Sequence, residues 1–171
     1  TATDLATLTG TTGAYTVTIT GGAALATELS AIAVATSGNI DASGVTAITG
    51  TSTEIMAAHD DAELDEIDSD FAATVTGTAV ATELSAIAVA TSGNIDASGV
   101  TAITGTSTEI MAAHDDAELD EIDSDFAATV TGTAVATELS ALAVATSGTI
   151  TTTNITGITG SATEIISALM N

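Results

Sequence analysis

The chain contains no lysine, arginine, proline, cysteine or tryptophan among its 171 residues, and three aromatic side chains in all. Without lysine or arginine it cannot neutralise phosphates, which excludes nucleic acid as a partner. Without cysteine there are no disulfides, so nothing about the redox compartment follows. With only Tyr15, Phe71 and Phe126 available, the exposed aromatic platforms of carbohydrate readers are missing, and core packing is the default role for these three. No apolar run reaches the ~18 residues of a membrane span, and no basic stretch precedes an apolar one. The reading therefore predicts no signal peptide, no membrane insertion, and a segment cut from something longer.

Against these absences stand 23 aspartates and glutamates and a formal net charge of -23. Self-repulsion of this size opposes compaction in low salt and is screened once the Debye length falls to about 8 Å, so sea water or divalent cations would suit the chain. Yet 45% of residues are apolar and 13% charged, which separates it from disordered polyampholytes and predicts folding.

The dominant feature is repetition. Residues 26–80 recur without change as residues 81–135, and a drifted, partial copy spans 136–171; residues 1–25 form a divergent partial unit of one continuous domain, 1–171. A shorter motif lies inside each copy. An Ile or Val, then Thr-Gly, is followed by Thr-Glu-Leu or its variants, giving Gly21, Gly50, Gly77, Gly105, Gly132 and Gly160 with Glu28, Glu54, Glu83, Glu109, Glu138 and Glu164. The 55-residue unit is thus two alternating coils of 27–28 residues. In one the glycine and glutamate are four apart, in the other six or seven.

Before Thr-Gly the pattern is strand-like: Tyr15 to Thr20 alternates with period two, and Phe71 to Thr76 does so more loosely. After it the pattern is helical. Leu25, Leu29 and Ile32 share one helical face, as do Ile55, Ala58 and Ala62. Thr51 with Glu54, Thr106 with Glu109 and Ser161 with Glu164 have capping-box spacing, and Ser37-Gly38-Asn39 and Ser92-Gly93-Asn94 read as helix stops. Strand and helix in regular alternation predict an α/β repeat solenoid: six coils, strands stacked in parallel about 4.8 Å apart, a rod about 25 to 30 Å long. Ile48, Val75 and Ile103 should then be adjacent rungs. The alternative is an all-β parallel helix, favoured by the many Thr, Val and Gly residues and opposed by the Ala-Glu-Leu runs.

Four constellations could carry function. Calcium takes six to eight oxygens, and in the acidic stretches 59–70 and 114–125 the carboxylates of Asp65, Asp68 and Asp70, and of Asp120, Asp123 and Asp125, are spaced to share an ion. The EF-hand pattern is missing, and a solvated acidic face is the plainer reading. His59 and His114 lack a nucleophile at triad-like spacing, which predicts surface groups and no catalytic residues. Thr20, Thr49, Thr76, Thr104, Thr131 and Thr159 occupy equivalent positions and predict a ladder of hydroxyls that could meet ice or a mineral, although threonine pairs also stabilise sheets without any ligand. Finally, the chain opens on a partial coil and closes in a helix at Asn171, which predicts either continuing repeats or copies stacked end to end.

The wording Thr-Gly-Thr-Ala-Val-Ala-Thr-Glu-Leu-Ser-Ala-Ile, with Tyr15 to Gly21 ahead of one copy, resembles the repeats of large, acidic, cysteine-free surface or secreted proteins of cyanobacteria and marine bacteria. The resemblance implies an extracellular or cell-surface location and an adhesive, filamentous or layer-forming structural role, with no catalytic residues to carry over. A calcium-binding repeat module is the alternative from another class.

Overall fold

The computed structural model describes residues 13–14, 16–61, 64–65, 67–116, 118–120 and 122–170. Tyr15, Ala62 and the first twelve residues lie outside them. The elements run β1 (Val17–Thr18), β2 (Ala23–Leu25), α1 (Ala26–Ala35), β3 (Ile40–Asp41), β4 (Ala47–Gly50), α2 (Ser52–His59), β5 (Leu64–Asp65), β6 (Ala72–Val80), α3 (Ala81–Ala90), β7 (Ile95–Gly105), α4 (Ser107–His114), β8 (Leu119–Asp120), β9 (Ala127–Val135), α5 (Ala136–Ala145), β10 (Ile150–Thr159) and α6 (Ala162–Met170). Strands and helices alternate in an α/β arrangement. The all-β alternative fails at the Ala-Thr-Glu-Leu runs, which open α1, α3 and α5.

Among the described residues every strand pairing is parallel. The main open sheet has the order β10-β9-β7-β6-β4-β2, with β8 beside β7, and a smaller sheet has the order β1-β3-β5. Spatial order follows chain order, and each helix packs against the helix before and after it. Between the two layers lies a continuous core in which Leu29, Ile55, Leu84 and Ile110 of the helices meet Ile48, Val75, Ile103 and Val130 of the strands, all fully buried.

The register differs from the expected one. Ile48 lies opposite Ala73 and Ile103 opposite Ala79, while Val75 faces Gly50, so Ile48, Val75 and Ile103 are not adjacent rungs. The cause is local. Gly77 and Gly132 adopt φ of 73° and 69°, and the chain continues as strand for three residues beyond each. Only glycine reaches this region cheaply. Against β7 the register shifts twice, between Thr74 and Thr76 and again between Gly77 and Thr78. The six-residue Gly-to-Glu spacing is therefore strand extension, not early helix. Where the spacing is four, the helix starts two residues after the glycine under a complete capping box, at Thr51–Glu54 and Thr106–Glu109; Ser161 and Glu164 make the same reciprocal pair.

Two further expectations are corrected. Leu25 is the last residue of β2 and 48% exposed, so the buried stripe of α1 is Leu29, Ile32 and Ala33. The helices do stop before the Ser-Gly-Asn segments, but the stop is made by Thr36 and Thr91 in extended conformation, not by a left-handed glycine. Gly93 serves another need: a Cβ there would lie 2.3 Å from the Phe71 carbonyl oxygen.

Candidate functional site

The acidic stretch begins where α2 ends. The Asp60 N–H donates to the Met56 carbonyl at 2.9 Å, and Asp60 Oδ1 lies 2.9 Å from His59 Nδ1, so this pair becomes ionic when the histidine is protonated. His59 is half-buried, with its ring 5.9 Å from that of Phe71 at a tilt of 37°. The second copy repeats this at His114, Asp115 and Phe126. The histidines are thus packed against the aromatic anchors, more than the surface groups expected. Phe71 and Phe126 immediately precede β6 and β9 and are 1% and 0% exposed, as core anchors should be.

Leu64 and Leu119, each 5% exposed, pin the middle of each acidic stretch to the core, and the short strands β5 and β8 pair them with Ile40 and Ile95. The same register places Asp65 opposite Asp41 and Asp120 opposite Asp96. Sequence reasoning missed Asp41 and Asp96 because they belong to a different coil. Each is fixed by its own turn: Asp41 Oδ1 accepts from the Ser43 hydroxyl at 2.6 Å and N–H at 3.1 Å, and Asp96 accepts from Ser98 at 2.6 and 3.0 Å. These side-chain and backbone hydrogen bonds hold both carboxyls below their ordinary pKa. Glu164 is lowered likewise, first by the backbone N–H of Ser161 and then by its hydroxyl.

Asp68, Asp70, Asp123 and Asp125 are exposed on the turns that lead to the phenylalanines. The side chains of Asp65 and Asp120 lie outside the described residues. Among the described residues no three His, Asp or Glu side chains converge as a cation site would require. What the stretch offers chemically is a solvated array of carboxylates, able to hold a diffuse counterion cloud.

Behind it stands a buried hydroxyl relay. Thr91, 4% exposed, donates to the Phe71 carbonyl and accepts from the Gly93 N–H at 2.9 Å; Thr146 does the same with Phe126 and Gly148. A second buried hydroxyl, Ser52 Oγ, accepts from the Val80 N–H at 2.9 Å and donates to Glu83 at 2.9 Å, and Thr53 donates to the same carboxylate at 2.7 Å. The start of α3, which has no side-chain cap of its own, is thus held from the preceding helix.

The threonine ladder is broken by the register. Thr49 faces Thr74, Thr104 faces Thr129 and Thr129 faces Thr151, but Thr76 faces Gly99 and Thr131 faces Asn154. The column of six equivalent threonines does not form. Among the described residues no helix is long and apolar enough to cross a membrane. No family model, curated protein sequence or solved structure matches the chain.

Proposed function

We propose that this chain is a structural, non-enzymatic repeat segment: a solenoid of stacked strand-helix coils that extends as a stiff acidic rod within an extracellular filament, surface layer or adhesin stalk. The observation that carries the reading is that spatial order in the main sheet follows chain order while an identical 55-residue unit recurs. A unit that contacts its chain neighbours can be added without altering the rest, and length then scales with copy number. The large negative charge, with no cation to offset it, suits a solvated spacer that must not adhere to itself along its flanks. The location and role also draw on the style of the repeats.

Arrays carrying one and two extra copies of residues 26–80 test this by small-angle X-ray scattering. Each copy adds two strands, so the maximum dimension should grow by about 10 Å per copy at constant cross-section. Growth in all directions, with the radius of gyration following about the 0.38 power of chain length, would refute it.

A further inference from the structure

The last coil leaves open a surface that the coil 55 residues earlier has covered. Ile103 is fully buried and its counterpart Ile158 is half-buried; Met111 is 9% exposed and its counterpart Ile166 58%; α6 has no buried residue, and Leu169 and Met170 are 69% and 81% exposed. Between α5, α6 and β10 runs a groove of about 600 Å³ lined by Leu139, Ile150, Ile155, Ile158, Ala168 and Leu169.

The interior of the molecule shows what fits there. On the earlier coil the occupant is the start of β9, with Ala127 opposite Ala102, Ala128 opposite Ile103 and Thr129 opposite Thr104. The segment equivalent to 127–130 at the other end of the chain is Thr16-Val17-Thr18-Ile19, aligned through Phe126 with Tyr15 and Thr131-Gly132 with Thr20-Gly21. Its inner edge is engaged: the Val17 and Ile19 N–H groups donate to the carbonyls of Asn39, just ahead of β3, and of Asp41 in β3, at 3.0 and 2.9 Å. Because backbone groups alternate sides along a strand, the Thr18 N–H points the other way, to the edge β1 presents outward.

Charge favours the same match. Residues 126–171 carry Glu138 and Glu164 as their sole acids, and residues 13–35 carry Glu28 alone, whereas the remaining acids after Asp4 lie between Asp41 and Asp125. Drift in the last copy goes further, replacing the Ser107, His114 and Asp115 of the interior coil by Ala162, Leu169 and Met170. Both faces are thus nearly neutral, whereas the stretch between them repels its like.

We propose that these ends form a head-to-tail interface between copies of this chain, β1 of one copy lying parallel on β10 of the next, with Val17 opposite Ile158 and Thr18 opposite Thr159. This rests on the stacked-coil reading above. Because the two faces differ, the contact is heterologous, and with β1 of each copy continuing the parallel stack of the last it generates linear assemblies.

Sedimentation of the 171-residue chain at physiological salt should show a concentration-dependent series of elongated species. Thr18→Pro removes the outward N–H and leaves the bonds to β3 intact; Ile166→Glu with Leu169→Glu places charge on residues already exposed, so the fold is kept. Each variant alone should be monomeric, and an equimolar mixture should form a one-to-one pair and nothing longer, since each retains one competent end. A wild type that stays monomeric to millimolar concentration, a mixture that stays monomeric, or association abolished by Val89→Asp on the helical flank would overturn the interface. A monomer whose length still grows with added copies overturns the interface alone, whereas failure of that growth overturns the stacked-coil reading itself.

Discussion

At the scale of single residues, two glycines and one aspartate make opposite demands. A Cβ on Gly93 would meet the Phe71 and Asp70 carbonyl oxygens at 2.3 and 2.4 Å, both backbone atoms that cannot step aside, while one on Gly157 meets nothing within 4 Å. Gly93→Ala should therefore cost about 1 to 3 kcal/mol or more, and Gly157→Ala, at the position where the interior repeat already has Ala102, should be neutral or stabilising by up to about 1 kcal/mol. Urea denaturation of both variants checks the pair. Asp96 gives a pH test. Its carboxyl is held below the ordinary value, so the hydrogen bonds from Ser98 contribute stability above the unfolded pKa of about 3.9 and lose it as pH falls through the lower folded value. Wild type should exceed Asp96→Asn in stability at neutral pH by a small margin, as befits an exposed group, and the two should converge as pH falls below the ordinary aspartate range. A margin that persists at pH 2 would contradict the assignment.

At the scale of elements, helix starts are secured in two ways, and the second is invisible to local reading. Thr51 and Glu54 cap α2 from within, and Thr51→Ala should cost about 1 kcal/mol. Ser52 works on its neighbour, and Ser52→Ala leaves the Val80 N–H without its acceptor and Glu83 without one of its two donors. Ser52 is fully buried, and losing both bonds of its hydroxyl should cost about 1 to 3 kcal/mol, so Ser52→Ala should be the more damaging of the two although its side chain lies one residue inside the helix. Thermal melts of the two variants order them. This contrast also explains what was legible in the sequence. Capping boxes, the Ala-Glu-Leu helices and the strand before each Thr-Gly depend on residues within a few positions of one another, and they stand where the pattern placed them. The extension of β6 and β9 past Gly77 and Gly132 depends on a left-handed backbone and on pairing with a strand more than twenty residues away, and the register of the threonines went with it. In the acidic stretch, charge obscured the chemistry of its apolar members: Leu64 and Leu119 are what the structure uses, and the opposition of Asp41 to Asp65 exists only once β3 and β5 are paired.

At the scale of the whole molecule, the net charge of -23 has no lysine or arginine to balance it, and the acids gather between Asp41 and Asp125. Raising ionic strength shortens the screening length from about 30 Å at 0.01 M to about 8 Å at 0.15 M, so the melting temperature should climb steeply over that interval and level off beyond it. Sodium chloride and magnesium chloride at matched ionic strength separate general screening from ion-specific effects. A melting temperature indifferent to salt would mean that the repulsion is relieved in the fold by some other route.

The identity of residues 26–80 and 81–135 has one more consequence, for how the chain finds its structure. Contacts run between chain neighbours, with strands paired about 25 residues apart, so folding can begin at any unit and spread. But two indistinguishable units give the growing structure no means to tell which of them it is adding. A nascent molecule that threads the later unit into the place of the earlier one satisfies every interior contact and betrays its mistake only as a looped-out stretch of polypeptide. Correct threading is thus marked by the drifted copy from Ala136 onward, whose substitutions at Ala162, Leu169 and Met170 keep it from standing in for either of the identical two.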